Sequence, residues 1–292
     1  MCLRLIFRQD WGWKYKTKQM LFEFTIMLAF VVVVALLIRS IPKKDSNKNP
    51  EETEQEDNQT GFLIYRGSEL RFSDETFTTV LGRHLPYFNR LDTADKEKFL
   101  SRLKEFVKIK IFIIHDKSGF REMPILISAT AIKLSFGLNG YLLPYFKFIH
   151  IFPAEFVGVN PFLRVLAGNV SGSSIRISWK HFLEGYQFPH DGENVGLHEM
   201  AHAYYFQNFE TGENADKNFI TYFPGFNNTG NKVFQLEKVP GNDFYSAYAL
   251  TNFQEFWAES VELFFERSAQ LQTAYPDLYK TMVAILNQDP LH

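Results

Sequence analysis

The chain has 292 residues, of which 46% are apolar and 16% aromatic, with 31 Phe and only 22% charged side chains. This density of large apolar groups excludes a disordered or collagen-like polymer, which cannot bury enough surface to offset chain entropy. Thirty-one basic against 33 acidic side chains leave a formal charge of −2, so no broad field draws the chain to nucleic acid or an anionic surface, and no nucleic-acid partner is expected. One cysteine, Cys2, excludes intrachain disulfides and any multi-thiolate metal site.

In chain order, residues 1–20 are basic and aromatic, with Trp11, Trp13 and Tyr15 alternating with Lys14, Lys16 and Lys18, a composition that favours a headgroup interface. Residues 21–38, LFEFTIMLAFVVVVALLI, carry no charge from Phe24 onward. At about 1.5 Å per helical residue they span about 27 Å, near the lower limit for a bilayer, which predicts a single transmembrane helix. Ile38-Arg39-Ser40-Ile41-Pro42 offers no small-x-small cleavage site, against a removed signal peptide. Arg4, Arg8, Lys14, Lys16 and Lys18 precede the span while Arg39, Lys43, Lys44 and Lys48 follow it, so charge leaves the orientation open. Residues 39–60 hold two prolines and an acidic cluster from Glu51 to Asp57, and read as an extended, solvated linker. Residues 61–292 then form one domain of ordinary size.

Within that domain Phe99, Leu100, Leu103 and Phe106 recur at helical spacing behind an Asp92 or Thr93 cap, predicting a helix over 93–106. Ile109–Ile114, Phe148–Phe152 and Ser174–Trp179 are strand-like; 124–136 is helix-like and ends at Gly137. Helical patterns return after Asp191, at 252–268 and at 276–287, giving an α+β domain with a mainly helical C-terminal half.

The decisive string is Gly196-Leu197-His198-Glu199-Met200-Ala201-His202-Ala203-Tyr204. Four residues apart on a helix, His198 and His202 project from one face, where two imidazoles can share one zinc ion. Glu199 sits on an adjacent edge, placed to accept a proton from a water whose pKa the ion lowers. Chance produces such a string in on the order of one chain in a hundred of this length, so its context matters. Helix starters at 190–194 and the apolar neighbours Val195, Leu197, Ala201 and Ala203 supply that context.

A catalytic zinc site takes three protein ligands and keeps one position open. Only His292 follows His202, so the third ligand is expected to be a carboxylate. Glu255, Glu259, Glu262 and Glu266 fall within about 60° of one another on a helix. Four like charges at such spacing destabilise a helix unless a cation or hydrogen-bond donor compensates. Glu255 is the expected ligand and Glu262 the partner that orients an imidazole; Glu259 is the competing ligand, and Glu266 is expected on a wet outer face.

These residues make the chain recognisable. It resembles the zinc-dependent peptidases of the Mlc titration factor A family, whose zincin-like site is of the gluzincin type, with two His and one Glu. The resemblance rests on 194–202, on Ser246-Ala247-Tyr248-Ala249 leading into 252–265, and on Gln288-Asp289-Pro290-Leu291. Weaker matches are Leu85-Pro86-Tyr87, Lys110-Ile111-Phe112 and 151–156, so the likeness spans about Gly61 to the C-terminus. It implies zinc on His198, His202 and Glu255, Glu199 as the catalytic residue, and Tyr248 as a hydrogen-bond donor to a developing oxyanion. Ala203-Tyr204-Tyr205 departs from the Leu-Asp common after the second histidine, and 211–240 matches nothing in the family pattern. The bacterial prototype is soluble, whereas here an anchor in a bacterial inner membrane is expected.

The expected function is a membrane-anchored zinc metallopeptidase acting on a peptide or protein substrate. The resemblance also implies an alternative, a regulatory module that sequesters a partner such as a transcriptional repressor, with zinc structural or vestigial. Hydrolysis of a non-peptide amide is compatible with the same residues. The strand-like stretch 174–179 reads either as an internal strand or as the edge that takes a substrate backbone. His181 and His190 are given no role.

Overall fold

The computed structural model describes residues 61–159, 163–212 and 214–292. The expected membrane helix, the segment before it and the linker after it lie outside these residues. Among the described residues no helix is long and apolar enough to cross a membrane.

The elements run β1 (Leu63–Arg66), α1 (Asp74–His84), α2 (Pro86–Arg90), α3 (Thr93–Ile109), β2 (Ile111–Ile114), α4 (Met123–Ser135), β3 (Phe148–Phe152), β4 (Phe156–Val159), β5 (Leu163–Leu166), β6 (Gly168–Ser171), β7 (Ser174–Ser178) and α5 (Trp179–Gln187). After these come α6 (Val195–Phe209), α7 (Lys217–Glu237), a 3₁₀ turn at Ala249–Thr251, α8 (Phe253–Glu266), α9 (Ser268–Ala274) and α10 (Pro276–Leu286). The mixed α+β domain with a helical second half is thus present.

One sheet has the order β1-β2-β3-β7-β6. Its three central strands are parallel, and β1 and β6 run antiparallel at the two ends. Alternation does the sorting: Phe112, Ile114, Ile149, Ile151, Ile175 and Ile177 are buried against the helical layer, while His150 and Arg176 pair on the other face. Helix α4, apolar on every side, runs through the middle of that layer, which suits a helix enclosed by others. Strands β4 and β5 form a separate antiparallel hairpin.

The predicted helix over 93–106 continues to Ile109, capped by Asp92, whose carboxylate accepts from the Asp95 amide at 2.8 Å. Lys110, expected within a strand, instead closes that helix. Its ammonium is buried and donates to the Leu142, Leu143 and Phe146 carbonyls, each at 2.7 Å, fixing the loop that feeds β3.

Residues 211–240 become chiefly a 21-residue helix with Pro224 inside it. Phe219, Phe223 and Phe226 pack around Trp257 of α8 with ring centroids 5.1–5.6 Å apart. That aromatic packing overrides the helix-breaking tendency of Pro224, Gly225 and Gly230. Strand β7 is paired on both sides, so of the two readings of 174–179 the internal strand is the one observed; the edge on that side of the sheet is β6.

Candidate metal centre

The helix that carries the two histidines starts at a built corner. Asn194 caps α6 through its Oδ1, which accepts from the Leu197 amide at 2.9 Å. Gly196 lets the first turn lie against the Phe182 ring, where an added Cβ would stand 2.7 Å from a ring carbon. Beyond it Leu197, Met200, Ala201 and Tyr204 are buried and hold the helix on the core, leaving His198 and His202 on its partly buried flank.

Helix α8 supplies the carboxylate. Asn252 caps it by accepting from the Gln254 and Glu255 amides at 3.0 Å each, which places Glu255 in the first turn. Trp257 Nε1 donates to the Ala201 carbonyl at 3.1 Å and ties α8 directly to α6. In consequence Glu255 Oε2 lies 3.0 Å from His198 Nε2 and 3.2 Å from His202 Nε2, and the two Nε2 atoms are 3.1 Å apart.

A tetrahedral ion with bonds of about 2.0–2.1 Å separates its ligand atoms by about 3.3 Å. The observed triangle has that size, and the donor set of two imidazoles and one carboxylate suits zinc. The residues therefore fit a metal ion.

The remaining acids have separate places. Glu262 Oε1 lies 2.7 Å from His198 Nδ1, and its Oε2 accepts from the Asn194 amide. Glu259 turns away from the triangle and accepts from both the backbone amide and the hydroxyl of Ser246. Glu266, expected on a wet face, is only 6% exposed; its Oε1 accepts from Asn194 Nδ2 at 2.7 Å. The acidic stripe thus faces partners along its whole length, because α6 and its cap lie over Glu255, Glu262 and Glu266 while Ser246 meets Glu259. His181 pairs with Ser178 and Glu155 at the surface, and His190 touches the Glu266 carbonyl; neither joins the triangle.

Glu199 is 5% exposed, and its Oε2 has no hydrogen-bond partner among the described residues. Burial pushes its carboxyl up to about 8, helped by Glu255 and Glu262 and opposed by His198. Burial disfavours the Glu255 anion, yet the hydrogen bonds from His198 and His202 hold it well below the usual carboxylate range. For His198 burial opposes charging, but Glu262 and Glu255 outweigh it and hold the imidazole above its ordinary value. Burial raises Glu262 as well, against the pull of His198.

The Tyr248 ring is exposed, 6.2 Å from the His198 ring. Burial of its hydroxyl, then Glu255 and Glu199, push that hydroxyl up to about 12, so it stays a donor at neutral pH.

The edge strand β6 presses on this group. A Cβ on Gly168 would lie 2.3 Å from Glu199 Oε1, so only glycine lets the strand approach this closely. Open space borders the triangle. One cavity of about 680 Å³ is bordered by Val165, Glu184, Glu193 and Asp243; another of about 340 Å³ by Asn169, Val170, Tyr205 and Gln254. His198, Glu199 and Tyr248 border both.

A family model described as glucose-regulated metallo-peptidase M90 matches residues 66–286. The chain belongs to this M90 metallopeptidase family, the one that includes Mlc titration factor A. Comparison with curated proteins finds no match. The M90 match covers both helices of the triangle and the β6 edge. Sequence reasoning overlooked Gly168 and Ser246. A glycine within a strand pattern signals close backbone approach and could have marked the first; Ser246 sits in the stretch that carried the family likeness, but nothing local announces its partner Glu259.

Proposed function

We propose that this chain is a zinc-dependent peptidase, anchored in a membrane by residues 21–38, that hydrolyses peptide bonds with Glu199 as general base. The observation that supports it most is the triangle of His198 Nε2, His202 Nε2 and Glu255 Oε2 beside a buried carboxylate with one free oxygen.

Those three atoms would hold the ion. Bound there, zinc supplies Lewis acidity toward a carbonyl and acidifies water at neutral pH. Glu262 Oε1 accepts the Nδ1 proton of His198, which fixes the tautomer and aims the Nε2 lone pair at the triangle. The Glu199 carboxylate, which borders the cleft and has no hydrogen-bond partner on its buried oxygen among the described residues, takes the proton of the attacking water and returns it to the leaving amine. The raised affinity of that carboxyl for a proton suits its return to the leaving amine, and a cation held in the triangle would favour the ionised form that the first step needs. Tyr248 offers its hydroxyl proton to oxygen charge that develops on the scissile carbonyl. Cleft space bordering the triangle and the edge strand β6 accommodate an extended chain paired as an added strand.

The test is the Glu199→Gln variant assayed on a peptide library, with metal content measured in parallel. Turnover is expected to fall by at least ~100-fold with the zinc retained. Cleavage at the parental rate would sink the mechanism. Undiminished capture of a protein partner by a His198→Ala, His202→Ala variant, with no turnover of any peptide by the parent, would favour the regulatory reading. Recovery of the full chain in the membrane fraction, and its loss on deleting 1–60, tests the anchor.

A further inference from the structure

A further cavity, of about 130 Å³, is bordered by Asn194 and Leu197 at the start of α6 and by none of the three residues of the triangle. Its wall includes Lys133 of α4, Phe265 and Glu266 of α8, and Tyr186 of α5; the exposed residues His84, Arg90 and His190 stand at its mouth. Nothing in the peptidase chemistry uses it.

Its polar groups are not settled by the protein. Glu266 is more than nine-tenths buried, and while Oε1 accepts from Asn194, Oε2 has no hydrogen-bond partner among the described residues. Lys133 holds its ammonium 5.0 Å from the centre of the Phe265 ring, and no described residue accepts a hydrogen bond from it. A buried acceptor facing a small space without a donor costs stability unless something in that space supplies one, and the Lys133 ammonium stands at the same wall without a direct ion pair to it. Burial pushes both groups toward neutrality, Glu266 upward and Lys133 downward, and the attraction between the two only partly opposes it.

A ligand that answers both needs a cationic donor at one end and an anionic acceptor at the other. The volume sets its size: a protein cavity of about 150 Å³ takes benzene, so this one suits about six non-hydrogen atoms. The basic mouth favours entry of the anionic end.

We propose that this cavity binds a small zwitterionic α-amino acid of glycine or alanine size, its ammonium on Glu266 Oε2 and its carboxylate on Lys133. The site stands independently of the peptidase reading, although free amino acids are also what peptide hydrolysis can release. It touches the metal centre through one residue, because Asn194 donates its side-chain amide to Glu266 and its backbone amide to Glu262, which holds His198.

Titration calorimetry of the full chain with L-alanine is the direct test, with propionate and ethylamine as probes that each carry one of the two charges. Saturable L-alanine binding is expected, with both single-charge probes at least about tenfold weaker. Glu266→Gln and Lys133→Met are each expected to weaken alanine by a similar factor. Where a variant fails to fold, the selectivity of the unaltered chain decides. Amino acids also chelate zinc, so the titration is repeated on the His198→Ala, His202→Ala variant, where binding is expected to persist. No saturable binding, equal affinity for propionate, undiminished binding in both cavity variants, or loss of binding with the histidines would each overturn the proposal.

Discussion

At the scale of single residues, the tightest constraint is the approach of Gly168 to Glu199. A methyl group there would meet Glu199 Oε1 at 2.3 Å, so either the carboxylate or the strand must move. Displacements of about 1 Å at a reacting group cost on the order of 100-fold in rate. Gly168→Ala is therefore expected to lower kcat by roughly 10- to 100-fold while zinc content stays at that of the parent; unchanged kcat would show that the carboxylate is free to relocate. A different residue governs acid behaviour. His150 Nδ1 lies 3.0 Å from His115 Nε2, and burial, then Arg176, then His115 push it down to about 4. The unfolded chain has a histidine value near 6.5 and takes up this proton first as pH falls. The stability contributed by neutral His150 is thus complete above about 6.5 and is lost as pH drops toward about 4. Melting temperature of the parent is expected to fall more steeply across that window than that of His150→Phe, and parallel curves would remove the histidine from the account.

At the scale of elements, the site depends on how two helices begin. Asn194 serves three ends at once: its Oδ1 caps α6, its side-chain amide holds Glu266, and its backbone amide holds Glu262. Loss of a cap costs about 1 kcal/mol, and leaving a buried carboxylate oxygen without its donor costs about 1–3 more. Asn194→Ala is expected to destabilise the domain by about 2–4 kcal/mol in urea unfolding, with the slope unchanged; a loss under 0.5 kcal/mol would mean Glu266 finds another donor. Elements also show where sequence reasoning succeeds. Helices α3 and α6, with strong periodicity and a capping side chain, were legible, and so were the strands at the sheet centre with their β-branched runs. Helix α7 was not, because Pro224, Gly225 and Gly230 are local signals of interruption and only the ring of Phe219, Phe223 and Phe226 around Trp257 restores the helix. Glu266 was misplaced for a related reason. Angular position on α8 groups it with its neighbours, but what covers that face, the Asn194 corner, lies 72 residues earlier.

At the scale of the whole molecule, the three atoms of the triangle come from segments more than 50 residues apart, with all of α7 between them. Two histidines alone would bind a zinc ion weakly, and on the proposed reading Glu255 would complete the set only after α6 and α8 have packed. An ion that binds the folded chain at about a thousand times its dissociation constant adds about 4 kcal/mol of stability. Chelation is expected to lower the melting temperature, with recovery on adding zinc, and Glu255→Ala is expected to abolish the recovery. Full recovery in that variant would hand the carboxylate role to another oxygen.

The Trp257 contact has a consequence of its own. Because its indole nitrogen bonds the backbone of the histidine helix while its ring sits among the phenylalanines of α7, loosening at that aromatic junction is expected to displace the carboxylate from the imidazoles before the chain melts. Zinc uptake becomes a gauge of interior order: a lesion far from the cleft, such as Phe223→Ala, would announce itself as a drop in ion occupancy at temperatures where circular dichroism still reports a native fold.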